Sequence, residues 1–521
     1  MPHDHLAKIQ TSFGEIRSIL QASPSTQAWQ RITQIIDQTP EDACSHTLLP
    51  YIKAHISQWP THLLHTPRHW IEALFAHDPP EHTSLVRTLN LSQRGLSDRD
   101  IKIMCDHASL RQIQHLDISH NWLMKQGVKY LCASPHTHAL VTLDLSYNQL
   151  GDAGVSEFSQ SNSLNNLASL SLARNDLSVQ SLEEVSRANF SSSIEHIDLS
   201  NNWIRFDPNT PLALHHEFTA LTHLSLASNQ IKDLGLEHIL AKEQMFPSLN
   251  TLNLRHTNLT GEAGRLLAWS EFTSQLTSLD LAENNLTNQG VHLLLESGYI
   301  RHLENLNLSN NQISDDALLA MSDTPHLESL HTLDLSNNWI THTGLHYLMS
   351  ANNIGTLTHI NLSNNQLEHI AAIQTLCTWP NLEQLNTLDL SKSDLSEDAL
   401  HLLLAGLSSA HNLTTLILDH NRFTHDKNAQ PFDLSQLPNS LRKLSLVNCH
   451  ITDQTLHTLL KSPTFQTLDT LDLRYNPLGD PSASCIEHME LEQCPTIDIR
   501  YTNLTSEGAK VFAQKSRTHH E

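Results

Sequence analysis

The stretch Leu140-Val-Thr-Leu143-Asp-Leu145-Ser-Tyr-Asn148-Gln-Leu150 decides the fold of this chain. Its Leu143-Asp-Leu145 core alternates apolar and polar residues, the pattern of a short strand with one face buried. The same LxxLxLxxNxL pattern recurs from Val86 to the end of the chain. Its central apolar position falls at Leu89, Leu116, Leu143, Leu170, Ile197, Leu224, Leu252, Leu279, Leu306, Leu333, Ile360, Leu388, Leu416, Leu444, Leu471 and Ile497. These sixteen repeats, in steps of 26 to 28 residues, mark a solenoid.

Consecutive parallel strands need a crossover of a dozen or more residues, and the remainder of each repeat supplies one. The crossovers read as helices. A Ser or Thr stands as N-cap at positions 97, 178, 260, 287, 314, 341, 396, 452 and 505. Four residues past the last Leu or Ile of the pattern comes a small residue, such as Gly127, Gly154, Gly235, Gly290, Gly344, Gly508, Ala263 or Ala317. Such residues are expected to let each helix lie close to the strand layer. The Asn position holds Asn in eleven repeats, where a buried amide can bond the turning backbone. Arg94, Thr257, Ser393, Cys449 and Thr502 depart from it, and Thr, Ser and Cys can partly substitute.

Repeats of this length with helical crossovers resemble the ribonuclease-inhibitor class of leucine-rich repeats over residues 85–504. The resemblance implies an α/β, right-handed horseshoe, with parallel strands on the concave face, helices on the convex face, and protein recognition through the concave face. The His-, Gln- and Thr-rich composition with little Gly is also similar to leucine-rich-repeat effectors secreted by intracellular bacteria such as Legionella.

Residues 1–84 lack the repeat, and seven prolines divide them into short helical pieces: His5–Leu20, Thr26–Asp37 and Pro67–Phe75, with Trp29, Trp59 and Trp70 as core residues. A solenoid needs its ends covered, so this region reads as a helical cap. The alternative is a small adaptor module of a ubiquitin-ligase-type complex, since 49–70 is faintly similar to an F-box but lacks its acidic-Leu-Leu core. Residues 505–521 read as a last helix from Thr505 to Phe512 and a tail from Gln514 onward.

With 31 Lys+Arg against 55 Asp+Glu, the formal charge of −24 repels phosphate backbones and anionic lipid. The expected partner is a protein with a basic patch, not nucleic acid or a membrane, and the chain is expected to act as a monomer. Seven scattered cysteines without a CxxC pair suit a reducing compartment. No signal segment or bilayer-length apolar run is visible. The expected location is the cytoplasm, or a host cytosol reached without a cleaved signal.

Register exposes columns of outward side chains. The central x of L-x-L carries Asp117, Asp144, Asp198, Asp280, Asp334, Asp389, Asp472 and Asp498. This acidic stripe suits either a solvated polar column or a site for Lys and Arg. The position after the Asn carries Trp122, Trp203 and Trp339, which suit either anchors exposed at the solenoid edge, Trp being enriched in binding hot spots, or packing on adjacent loop residues. In the last two repeats Asp472, Arg474 and Tyr475 are echoed by Asp498, Arg500 and Tyr501, the combination that most resembles a hot spot. Irregular crossovers at 206–211 and 425–438 are secondary candidates.

Enzyme chemistry finds little footing. His115-x-Asp117-x-Ser119 and His196-x-Asp198-x-Ser200 put Asp in the middle, whereas a triad needs His between Asp and Ser. The pair His196 and His223 lacks a third metal ligand. No phosphate-cradling, nucleophile-elbow or zinc-protease motif occurs. The reading is therefore a binding scaffold without catalytic residues, metal or cofactor.

Overall fold

The computed structural model describes residues 2–39, 44–421, 423, 434–487 and 495–515. They divide into two compact units. One holds residues 1–230 and 241–249; the other holds residues 231–240 and 250–521.

In the first unit six three-residue strands, from Thr88–Asn90 to His223–Ser225, lie parallel and in sequence order. The second unit holds ten more, from Thr251–Asn253 to Thr496–Asp498, arranged the same way. Register places central Leu against central Leu, as in Leu116 against Leu143 and Leu306 against Leu333. Every strand but His196–Asp198 is followed by helical turns that return the chain, and the irregular crossover expected at 206–211 is indeed non-helical; both units have the leucine-rich-repeat fold. The four Leu positions of the pattern form the core; Leu140, Leu143, Leu145 and Leu150 are all buried.

The Asn position carries the turn. Asn338 accepts from the Asn311 and Ile313 backbone N–H groups, both at 3.0 Å. It donates to the carbonyls of Leu308, Leu335 and Ser336. One buried amide thus satisfies groups from two repeats. The substitutes work as expected: Thr257 bonds the Leu254 carbonyl, Thr502 that of Ile499, and Cys449 Sγ that of Leu418.

The residue before the Asn position has positive φ in all sixteen repeats, between 52° and 62°. Asn, the non-glycine residue that best tolerates this conformation, fills it at Asn201, Asn310, Asn337, Asn364 and Asn448. The sequence reading did not anticipate this column.

Two expectations about the helices need correction. The small residues do not chiefly admit the strand layer; they admit the neighbouring helix. A Cβ on Gly344 would fall on Asp315, one on Gly127 on Asp98, and one on Gly508 on Asp480. Those aspartates open the preceding repeat's helix and cap the next one. Asp315, for example, accepts from the Thr341 backbone N–H at 2.8 Å and from its hydroxyl. The N-caps hold at Ser97, Ser178, Thr260, Thr341, Ser396 and Thr452; Ser314 takes the position without a side-chain cap bond, and Thr287 is the first residue of its helix, with φ of 57°.

In the N-terminal region the helices run Pro2–Gln21 and Thr26–Gln38, with Leu49–Ile56 beyond them. The stretch expected as a helix over 67–75 is a 3-10 turn, Arg68–Trp70, continued by Ile71–Leu74. Trp29, Trp59 and Trp70 are buried. Residues 64–66 lie along the outer edge of the first strand, with Arg87 and Thr88 N–H groups bonded to the Leu64 carbonyl. The last helix is Ser506–Lys515, so Gln514 and Lys515 are helical; the rest of the expected tail lies outside the described residues. Cys494 and most of the 425–438 crossover also lie outside them.

His115 makes this junction pH-sensitive. It is half-buried, hydrogen-bonded to Thr61 Oγ1 at 2.8 Å and Thr142 Oγ1 at 3.0 Å. Burial first, then the neighbouring His62 and His65, lowers its pKa below the ordinary 6.5. The unfolded chain therefore binds this proton more readily. The contribution is complete above about pH 6.5 and is lost as the pH falls below it. The first unit is expected to melt at lower temperature at pH 5.5 than at pH 7.5 by scanning calorimetry, with His115→Gln narrowing the gap. An unchanged gap in that variant would contradict the assignment.

Candidate binding surface

The eight aspartates all face outward from strands and are all half-buried. Each has a task within the chain that the sequence did not announce. One carboxylate oxygen accepts the backbone N–H two residues on, at 2.8–3.2 Å, from Ser119, Ser146, Ser200, Ala282, Ser336, Ser391, Arg474 and Arg500. This is an Asx turn, which steers the chain out of the strand. Asn90, Asn253, Asn307 and Asn361 do the same in their repeats. Where Ile417 and Ser445 occupy the column, Asp419 stands in, accepting the Val447 N–H at 2.8 Å and the Ser445 hydroxyl at 2.7 Å. The column is acidic partly because the turn needs a short side-chain acceptor.

Electrostatics differ along it. Burial, the largest cause, raises the pKa of Asp280 and of Asp389, and neighbouring carboxylates add to it. Asp117 and Asp334 share their second oxygen with Asn90 and Asn361. In the last two strands arginines take that role. Arg474 grips Asp472 through Nε and Nη2 at 2.7–3.0 Å, and Arg500 grips Asp498 at 2.6–3.1 Å. Arg474 also lies 3.6 Å from Asp498. Against the burial that opposes it, this pairing keeps the Asp498 carboxyl below its ordinary value.

Tyr475 and Tyr501 belong to the left-handed column, and their rings stack at 4.5 Å and 9°. They are 50% and 68% exposed. The structure thus brings Asp472, Arg474, Tyr475, Asp498, Arg500 and Tyr501 into one cluster of pinned charges beside an aromatic pair. The first unit has a counterpart that sequence reasoning missed. His120 and Tyr147 stack at 3.9 Å, and the Arg174 guanidinium lies 5.1 Å over the Tyr147 ring. The signal was present, since the three residues share one position in consecutive repeats.

Trp122, Trp203 and Trp339 are 63%, 62% and 53% exposed. They do not join the strand face. Each begins the outgoing crossover, with its N–H on the carbonyl of Leu96, Leu177 or Ile313 of the preceding repeat. Each follows a repeat whose own residue at that place is left-handed: Gly95, Asp176 or Gln312. The Trp203 indole donates to Asp176 Oδ1 at 3.1 Å, and Trp122 lies over Gly95. Part of the Trp122 and Trp203 rings is therefore spent on the preceding repeat.

His196 packs against His223 at a tilt of 39°, with centroids 4.3 Å apart, and Ser119 donates to Asp117 without a His between them. The described residues hold no group of three or more His, Cys, Asp or Glu placed to bind a metal. Burial pushes the thiols of Cys105, Cys132 and Cys449 up to about 12, so at neutral pH they are un-ionised. No helix among the described residues is long and apolar enough to cross a membrane.

Parallel three-residue strands, a turn capped by Asn in eleven repeats, and a helical return in all but the fifth describe a leucine-rich-repeat fold. A family model described as leucine-rich repeat matches residues 138–159, 219–240, 275–295, 299–322, 326–349 and 466–486. No curated protein sequence matches the chain. Among solved structures, it is similar to an internalin, inlF, of Listeria monocytogenes, at 19% identity and TM-score 0.42, over 66% of this chain and 82% of that one. It is similar to a chain of the TLR13–ssRNA13 complex at 20% identity and TM-score 0.48, over 81% and 64%. A chain of the mouse RP105/MD-1 complex is similar at 18% identity and TM-score 0.47, over 83% and 74%.

Proposed function

We propose that this chain is a protein-binding scaffold that grips a partner through its strand face. Leucine-rich-repeat solenoids generally serve as such scaffolds, because stacked repeats offer an extended surface of non-repeating side chains. The observation that carries the reading is the cluster around the stacked Tyr475 and Tyr501. Rigid aromatic area beside fixed arginines is the composition of a binding hot spot. The half-buried aspartates of the preceding repeats add negative potential, which favours a partner with a basic patch. We read the scaffold as monomeric and acting in a reducing cytosol, in the manner of an effector or inhibitor. Residues 1–84 serve as its cap.

The test is capture from lysate by the whole chain and by a variant carrying Asp472→Lys, Tyr475→Ala, Asp498→Lys and Tyr501→Ala. A specific partner held by the first and reduced at least tenfold by the second is the expected outcome, since losing two hot-spot side chains costs about 2 kcal/mol or more each. Equal capture would contradict the assignment of the site to the last two strands.

A further inference from the structure

One pocket of the first unit runs against the charge of the chain. Its volume is about 360 Å³, and it lies where the N-terminal region meets the first strand. Thr66, Arg68 and Ile71 line it from the N-terminal side; Asn90, Ser92 and Arg94 line it from the first repeat. Two arginines thus share its walls, and no Asp or Glu is among the described ones. In a chain of formal charge −24 this reverses the prevailing field. Exposed charges more than about 8 Å away are largely screened at physiological salt, so the local pair dominates the potential there.

Neither arginine side chain has other work among the described residues. Arg31, Arg187, Arg255, Arg265, Arg474 and Arg500 each pair with a carboxylate. Arg87, at the same junction, spends its guanidinium on the Ser84 and Val86 carbonyls. Arg68 and Arg94 are exposed, and neither guanidinium has a hydrogen bond or ion pair among the described residues. Arg94 also stands at the place that holds Asn in eleven repeats. There the amide is buried and bonds a carbonyl of the preceding repeat, as Asn121 does with Leu91. The first repeat has no repeat before it, so its place is released from that duty and carries an exposed cation instead.

The hydroxyls of the pocket are already spent. Thr66 Oγ1 donates to the Thr88 carbonyl and Ser92 Oγ to Asn90 Oδ1, both at 2.8 Å. The main donors left are the two guanidinium groups, whose planar forks suit oxyanions. One fork uses both oxygens of a carboxylate in two parallel bonds. A phosphate monoester offers three terminal oxygens and nearly two negative charges at neutral pH, enough for two forks at once. Ile71, half-buried, gives the organic part an apolar wall.

We infer that this pocket binds a phosphate monoester, with Arg68 and Arg94 as its anchors, and that the bound group ties the N-terminal region to the first repeat. The ligand is opposite in sign to the basic partner of the strand face, so either proposal can fail without the other.

The experiment is saturation-transfer NMR on the full chain at pH 7.5, with phenyl phosphate as probe. Transfer to its ring protons is expected, with inorganic phosphate displacing it at least fivefold more readily than benzoate. Arg68→Gln and Arg94→Gln should each weaken binding at least fivefold, and the double variant should abolish it. Both side chains are exposed and unbonded, so circular dichroism should stay unchanged. Arg205→Gln alters the net charge equally at an exposed residue outside the pocket and should leave binding as it is. A phosphotyrosine pentapeptide that binds at least tenfold tighter than phenyl phosphate would assign the pocket to a phosphorylated protein segment; equal or weaker binding would assign it to a small free phosphate. No transfer with the native chain, undiminished transfer in the double variant, an equal loss in Arg205→Gln, or benzoate displacing the probe as readily as phosphate would each overturn the proposal.

Discussion

Asn338→Ala is expected to destabilise the second unit by roughly 3–5 kcal/mol, the largest stability effect of any single polar substitution considered for the solenoid. The side chain is 4% exposed and takes part in five hydrogen bonds to backbone groups of two repeats. Alanine leaves two buried N–H groups without acceptors, at about 1–3 kcal/mol each, and adds a small void. Repeats interact with their nearest neighbours, so the damage should be local before it is global. Amide hydrogen exchange reads this directly. Protection at Asn311 and Ile313 should fall about a hundredfold or more, while the amides around Leu116 keep theirs. Asn338→Thr should recover part of the loss, because Thr257 already fills an equivalent place with its hydroxyl on the Leu254 carbonyl. A change of less than tenfold in the alanine variant would mean that the amide column is not what holds the turn.

The fold was legible because a solenoid repeats its constraints. A single L-x-L is ambiguous, but sixteen in fixed register leave only one arrangement in which every Leu143-like side chain is buried. The substitutes at Thr257, Cys449 and Thr502 were readable for the same reason: the place asks for a short side chain that can reach a carbonyl. What stayed hidden depends on backbone conformation or on contacts between repeats. The left-handed residue before the Asn carries Tyr, His, Arg, Lys and Glu as well as Asn, so propensity alone gives no consistent signal. The reason for Gly344 lies in Asp315 of the preceding repeat.

The binding surface was legible in place and less so in meaning. Register put Asp144 and its counterparts on the outer side of the strands, where the structure has them. An aspartate there serves the turn and the surface potential at once, and composition cannot divide the two. The stacking of Tyr475 on Tyr501 followed from adjacency in consecutive repeats. His120, Tyr147 and Arg174 obey the same adjacency, but three different residue types make no visible motif. For Trp122, Trp203 and Trp339 the sequence left open an exposed edge or packing on neighbouring loops; the structure has all three rings largely exposed, with Trp122 and Trp203 also resting on the preceding repeat.

The dual role of the aspartates supplies the most direct test of the strand face as the binding surface. Changing all eight to asparagine removes the charge and keeps the turn, because Asn90, Asn253, Asn307 and Asn361 already make the same bond. The variant should fold with an unchanged circular dichroism spectrum. Its affinity for the partner captured by the native chain, measured by calorimetry at low and at physiological salt, should fall at least tenfold, about 1.4 kcal/mol, and lose most of its salt dependence. A folded variant that binds the partner as tightly as the native chain at both salt concentrations would contradict recognition through the acidic strand face.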